Sequence, residues 1–272
     1  MDRTFKTLRV TLFVLCISLF SNAFAQFDDG SKAGFKMGAL GDSITIATNS
    51  DGFGHRPKFS WATGTGSKTR NFTSHFLKLK KLKRNDVAAY NKAKGGARAK
   101  DIVRQAKELV SKKLDYATIL IGANDLCAWK EHDQRKLDEY EGNVRKAIQT
   151  LLKSNEKMKI LLLPVPDMYN LWKVNSNNRK CTRLWDSFGV CKPILSSSLT
   201  PGKREEFKQR WEDVNRTLDR ISTDYPDNIK FNDEIANTKF DKSHISTIDC
   251  FHPSVKGQQL ISKMAWENGW FE

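Results

Sequence analysis

Beyond residue 25 the chain lacks any long hydrophobic run, so no segment there offers the roughly 20 apolar residues a helix needs to cross a bilayer. Proline is sparse, seven in 272 residues. There is no Pro/Gly-rich linker, internal repeat or low-complexity tract, which removes any compositional ground for dividing the chain into domains. Acidic residues are in deficit, 31 against 46 lysines and arginines, for a formal charge of +15. Such a balance favours polyanionic partners: anionic phospholipid surfaces, nucleic acid or acidic cell-wall polymers. The densest basic run, residues 78–84, has no interleaved aromatic stacking pattern, which argues against nucleic acid. It reads equally as the solvated side of an amphipathic helix or as a membrane contact.

Cysteine is also scarce. Of five, Cys16 falls in the N-terminal leader, leaving Cys127, Cys181, Cys191 and Cys250. No pair has the short spacing of a zinc site, and an even number in an exported chain favours two disulfides. The leader itself has Arg3, Lys6 and Arg9, an apolar stretch over residues 10–20 and Ala23-Phe24-Ala25 as a small-x-small cleavage pattern. These features predict a signal peptide over residues 1–25 and a mature chain of residues 26–272, secreted or periplasmic. Asn71-Phe72-Thr73 and Asn215-Arg216-Thr217 are glycosylation sequons if the host glycosylates.

What the sequence does have is alternation. Apolar runs at 37–41, 86–90, 115–121, 159–165 and 228–232 predict five strands. Helical spacing over 72–83, 98–113, 140–152, 201–222 and 255–266 predicts the helices between and after them. Strand–helix alternation over 247 residues predicts one α/β domain, a parallel sheet with helices on both faces. The polar, glycine-rich stretch from Ser43 to Ser67 is expected to form a lid or rim, and residues 167–202 a long irregular insertion.

Four places at predicted strand ends carry chemistry. Gly41-Asp42-Ser43 ends the first strand, Gly95-Gly96 follows the second, Gly122-Ala123-Asn124-Asp125 follows the third, and Asp249-Cys250-Phe251-His252 precedes the last helix. Singly, these are turn sequences, a helix cap and a surface histidine. Together they supply a serine, a base to take its proton, an acid to hold the base, and amide donors for an oxyanion. His55, His75, His132 and His244 have no metal-ligand spacing, and of these only His55 lies in a loop that could border the site. Asp42 is expected to shape the loop by accepting hydrogen bonds.

In chain order these blocks resemble the SGNH (GDSL) hydrolases. Ser60-Trp61, Ile121-Gly-Ala-Asn-Asp-Leu-Cys127, Asp249-Cys-Phe-His-Pro-Ser254 and Trp266 resemble their phospholipase B-like branch, with Ile44 where the family usually has leucine. The resemblance implies a three-layer α/β/α sandwich around a mostly parallel five-stranded sheet, flavodoxin-like. It implies Ser43 as nucleophile, His252 as base and acid, and Asp249 as its orienting partner. The oxyanion hole is then the Ser43 and Gly96 N–H groups with the Asn124 side chain, and neither metal nor organic cofactor is required. If Asn124 and His252 converge on one site, Cys127 is expected to bridge Cys250, leaving Cys181 to bridge Cys191. The implied activity is secreted ester hydrolysis on lipids, lysophospholipase or phospholipase B-like, by a monomer whose substrate is a lipid or an acylated small molecule. Peripheral contact with an anionic membrane and no nucleic acid partner are also expected. A carbohydrate or peptidoglycan O-acetylesterase, and a non-catalytic basic module that binds envelope polymers, are the alternatives.

Overall fold

The computed structural model describes residues 33–66 and 71–271. The expected leader, residues 1–25, lies outside them. Five strands form one parallel sheet: β1 (Phe35–Gly41), β2 (Val87–Asn91), β3 (Tyr116–Leu120), β4 (Lys159–Leu163) and β5 (Ile229–Phe231), in the order β2-β1-β3-β4-β5. Every residue of β3 is buried, and so is all of β4 except Lys159. These unbroken apolar runs mark strands covered on both faces. The last strand is only three residues long, a shorter element than the 228–232 run suggests.

The long helices are α1 (His75–Leu82), α2 (Ala99–Leu109), α4 (Gln134–Leu152), α8 (Pro201–Thr223) and α10 (Val255–Glu267). Their starts are chemically marked. Ser74, Thr200 and Ser254 cap α1, α8 and α10 by accepting backbone N–H bonds, and Pro201 occupies the first turn of α8. Helices α2, α4 and α8 pack side by side and α1 packs with α10. Right-handed crossovers put these two groups on opposite faces, giving three layers. The short α3 (Ala123–Ala128) begins directly after β3, and the one-turn α9 (Glu234–Asn237) follows β5.

Residues 167–202 are not irregular. They contain α5 (Met168–Asn175), α6 (Arg179–Phe188) and the one-turn α7 (Lys192–Leu195). The signals were local: Asn178 caps α6, Gly189 ends it in the left-handed region, and Cys181 and Trp185, one turn apart, are its buried face. The stretch after Ser43 is only partly a rim. Its tip is exposed, but Phe59, Ser60, Trp61 and Ala62 are buried, with the Trp61 N–H bound to Gln258 Oε1 at 2.9 Å.

The cysteine pairing also differs from expectation. The bridges are Cys127–Cys191 and Cys181–Cys250, with Cα–Cα distances of 4.6 and 5.4 Å. Neither Cys181–Cys191 nor Cys127–Cys250 forms. Helix α6 runs from Arg179 to Phe188, and at 1.5 Å per residue it carries the chain about 10 Å from Cys181 before Cys191 is reached, beyond disulfide range. Trp185 of α6 donates its Nε1–H to the Cys250 carbonyl at 3.2 Å. The Asn124 and His252 loops are therefore each stapled to the helical insertion and not to one another.

Candidate active site

In an open parallel sheet, ligands bind beyond the carboxyl ends of the strands, where the strand order reverses. Here the reversal lies between β1 and β3. Ser43 follows β1 and Asn124 follows β3, one on each side of that crevice, while Gly96 follows the adjacent β2.

The turn carrying Ser43 is held from below. Gly41 adopts φ +157°, and a Cβ there would lie 2.5 Å from Thr45 Oγ1 and 2.6 Å from the Leu120 carbonyl, so only glycine fits. Two buried glutamines clamp the turn. Gln105 of α2 accepts the Gly41 N–H and donates to the Gly41 carbonyl, both at 2.9 Å. Gln258 of α10 donates to the Ile44 carbonyl at 2.8 Å. Neither glutamine stood out in the sequence, because a single amide among helical positions has no pattern to reveal it.

The sequence-predicted residues meet. Ser43 Oγ lies 2.8 Å from His252 Nε2, and His252 Nδ1 lies 2.5 Å from Asp249 Oδ2. The other oxygen, Asp249 Oδ1, accepts the N–H groups of Phe251 and His252 at 2.9 and 3.0 Å. Asn49 is an addition that sequence reading missed: its Nδ2 donates to Asp249 Oδ2 at 2.6 Å across 200 residues. Burial opposes ionisation of Asp249, but the bonds from His252, Asn49 and the Phe251 backbone outweigh it and hold its pKa below the ordinary value.

Gly96 and Asn124 follow β2 and β3, the two strands that flank the strand carrying Ser43. Gly96 takes φ +76°, a conformation that favours glycine. The Asn124 Nδ2 group donates to the Ala97 carbonyl at 3.0 Å, which orients its amide. Asp125 accepts the Ala99 N–H through both carboxylate oxygens at 3.3 and 3.1 Å, stitching the start of α3 to the Gly96 loop. Among the described residues neither the Ser43 nor the Gly96 N–H donates a hydrogen bond within the protein. They remain available to an oxyanion.

Beneath this site are two buried carboxyls. Asp42 Oδ1 accepts the Ile44 N–H at 2.8 Å, the loop-shaping role expected of it. Burial pushes its pKa up to about 6, only partly offset by that bond. Burial likewise raises Asp125 to about 7 against the Ala99 bond, with the Asp42 charge adding to the rise.

Next to His252 lies an apolar cleft, partly open to solvent and lined by Ile44, Val165, Met168, Leu171, Phe240 and Phe251 among others. Its walls are braced. The Val165 N–H and carbonyl both bond the Asn215 amide, and Trp211 Nε1–H donates to the Val165 carbonyl at 2.8 Å. The amide of the second sequon is thus engaged inside α8, whereas Asn71 of the first is exposed. On the far wall the Asn170 amide donates to the Phe240 carbonyl, and Lys239 pairs with Asp167, both at 2.7 Å.

A sequence model described as GDSL-like lipase/acylhydrolase matches residues 37–264. The chain belongs to this GDSL family. Its architecture is that of an α/β chain with helices on both faces of a five-stranded parallel sheet. Among curated proteins it is 28% identical over 203 residues to mouse "Phospholipase B1, membrane-associated". The match covers 64% of this chain but only 14% of that much longer protein. Among solved structures, the lipase Lip_vut3 from a goat rumen metagenome superposes with a TM-score of 0.57 at 19% identity, covering 88% of this chain and 100% of that one. TesA gives 0.52 at 15% identity, covering 86% and 97%. At such identities these structures speak to the GDSL fold alone.

The remaining histidines of this GDSL domain have structural settings. His75 is buried, stacked on Tyr116 with its Nε2 2.9 Å from the tyrosine hydroxyl, and burial lowers its pKa to about 3, helped by the charge of Lys78. His132 pairs with Asp213 at 3.2 Å. His244 lies 3.2 Å from Asp241 at the cavity rim, and His55 bonds Thr48 at 2.9 Å.

Proposed function

We propose that the mature chain, residues 26–272, is an exported serine hydrolase of lipid esters, of lysophospholipase or phospholipase B type. Ser43 Oγ attacks the ester carbonyl while His252 Nε2 takes its proton. Asp249 fixes the imidazole tautomer and stabilises the imidazolium that forms. The tetrahedral oxyanion is received by the Ser43 and Gly96 N–H groups and the Asn124 amide. Collapse releases the alcohol, protonated by His252, and leaves an acyl-Ser43 ester. Water, deprotonated by His252, then attacks that ester and frees the fatty acid.

The lipid reading rests on one observation: the apolar lining of the cleft beside His252. An acetyl group needs a small, polar-rimmed pocket. A cleft walled by Val165, Met168, Leu171 and Phe240 suits an apolar acyl chain better than an acetyl group. The basic surface supports delivery from anionic lipid.

The test is a series of p-nitrophenyl esters from acetate to laurate, together with lysophospholipid, run on the parent and on Ser43→Ala. The parent is expected to prefer the longer chains and release fatty acid from lysophospholipid. Ser43→Ala is expected to lose about a thousandfold or more in kcat. Strong preference for acetate with no fatty acid released would establish the O-acetylesterase alternative. Unchanged turnover by Ser43→Ala would remove Ser43 as nucleophile.

A further inference from the structure

The segment after the Ser43 turn folds into a small hairpin whose tip the proposed mechanism does not use. Thr48 and His55 form an antiparallel bridge. Within it the Asn49 N–H donates to the Gly54 carbonyl, and the Gly54 N–H donates to Asn49 Oδ1, both at 2.8 Å. The base is anchored: Ser246 Oγ donates to the Asn49 carbonyl at 2.6 Å, and the Val255 N–H donates to the Ser50 carbonyl at 3.2 Å. Phe53, at the tip, is 81% exposed. A single exposed apolar side chain is ordinary on a protein surface, so what marks this one is its braced turn and its charged setting at the edge of the site.

The hairpin borders the proposed oxyanion site. The His55 ring lies against Gly95, where a Cβ would come within 3.0 Å of His55 Cε1, and Gly96 is the next residue. Beside this contact, Lys58, Lys94 and Arg98 are exposed. The acids of the same stretches are half-buried. Asp101 accepts the Arg98 N–H at 2.9 Å, and Asp51 also has a partner. The exposed charge along this rim is therefore positive, on a chain of formal charge +15.

We propose that the Thr48–His55 hairpin is a membrane-docking element. Phe53 enters the acyl region of an anionic phospholipid surface, and Lys58, Lys94 and Arg98 meet the headgroup phosphates around it. An apolar tip beside an edge that carries exposed cations fits the depth order of a bilayer, acyl chains below phosphates. Docking here sets the Gly96 edge of the site against the lipid, so a substrate ester has a short path to Ser43. This deepens the lipid-ester reading and rests on it for its purpose, though docking is measured separately.

The experiment uses the full mature chain with vesicles of phosphatidylcholine alone or mixed with phosphatidylglycerol, scoring co-sedimentation and fatty acid release. The parent is expected to bind the mixed vesicles. Phe53→Ala is expected to bind them about tenfold or more weakly, the scale set by burial of one phenylalanine side chain. Its hydrolysis of a soluble short-chain p-nitrophenyl ester without vesicles should be unchanged. Combining Lys58→Glu with Lys94→Glu is expected to remove the preference for phosphatidylglycerol. Ser43→Ala should bind as the parent does. Binding by Phe53→Ala equal to the parent, or no binding by the parent, overturns the docking element. If docking depends on Phe53 but no fatty acid is released, docking stands and the lipid-ester reading falls. If Phe53→Ala binds as the parent does and releases fatty acid from vesicles at the parent rate, the reverse holds.

Discussion

Asp249 Oδ2 takes two charge-assisted bonds, one from His252 and one from Asn49. Asn49 thereby fixes the carboxylate that orients the proposed base, and it does so from the root of the exposed hairpin. Removal of a hydrogen bond to a charged group costs on the order of 1.5–3 kcal/mol. Asn49→Ala is therefore expected to lower kcat about tenfold or more, with a smaller change in KM, since the substrate carbonyl does not touch it. Steady-state kinetics on a soluble ester checks this, and an unchanged kcat would make Asn49 a purely local brace. The buried carboxyls give a pH signature. In the folded state Asp42 and Asp125 titrate near 6 and 7, against about 3.8 when unfolded. Between these values the folded chain holds protons that the unfolded chain releases, so their contribution to stability falls as pH rises from about 4 to about 7. His75, lowered to about 3, acts oppositely: the unfolded chain binds its proton first, and stability drops as pH falls below about 6.5. Comparison of variants separates the two. The melting temperature of Asp125→Asn relative to the parent should increase from about pH 4 to about pH 7 and then level. A difference flat across that range would contradict the buried-carboxyl assignment.

At the scale of elements, α5 of the insertion supplies part of the cleft beside His252. Met168 and Leu171 of α5 form one wall of the cavity, and two disulfides tie α6 and α7 to the His252 loop and to α3. Leu171→Trp is expected to reduce hydrolysis of laurate esters about tenfold or more while sparing acetate, because the added ring takes volume that only a long chain uses. Equal loss on both substrates would mean that the acyl chain lies elsewhere. The bridges span 64 and 69 residues, and in the chain-entropy account each contributes about 4 kcal/mol. Full reduction should thus lower the melting temperature by roughly 10 °C or more. Non-reducing peptide mapping should recover 127–191 and 181–250 pairs. The elements themselves were largely legible beforehand. Unbroken apolar runs such as residues 160–163 mark central strands, and Ser74, Thr200 and Ser254 announce helix starts. The insertion helices were hidden because their polar surface swamps a short buried stripe, two residues in the case of α6.

At the scale of the molecule, the chain's positive charge acts over a Debye length, whereas Phe53 acts only on contact. Adsorption of the mature chain to phosphatidylglycerol vesicles should therefore weaken steeply as salt rises from 0.05 to about 0.5 M, and titration of vesicle binding against salt measures this. The sequence by itself determined the alternating architecture and the identity of Ser43, Gly96, Asn124, Asp249 and His252 as candidates. Strand and helix periodicity are local, and ester chemistry accepts few residue types at strand ends. Only the tertiary structure decided which cysteines pair, that Asn49 reaches Asp249, that Gln105 and Gln258 clamp the serine turn, and that an apolar cavity opens beside His252. Each of these depends on distances between residues tens to hundreds of positions apart. Such distances are set by how layers and crossovers pack, and no local pattern encodes them.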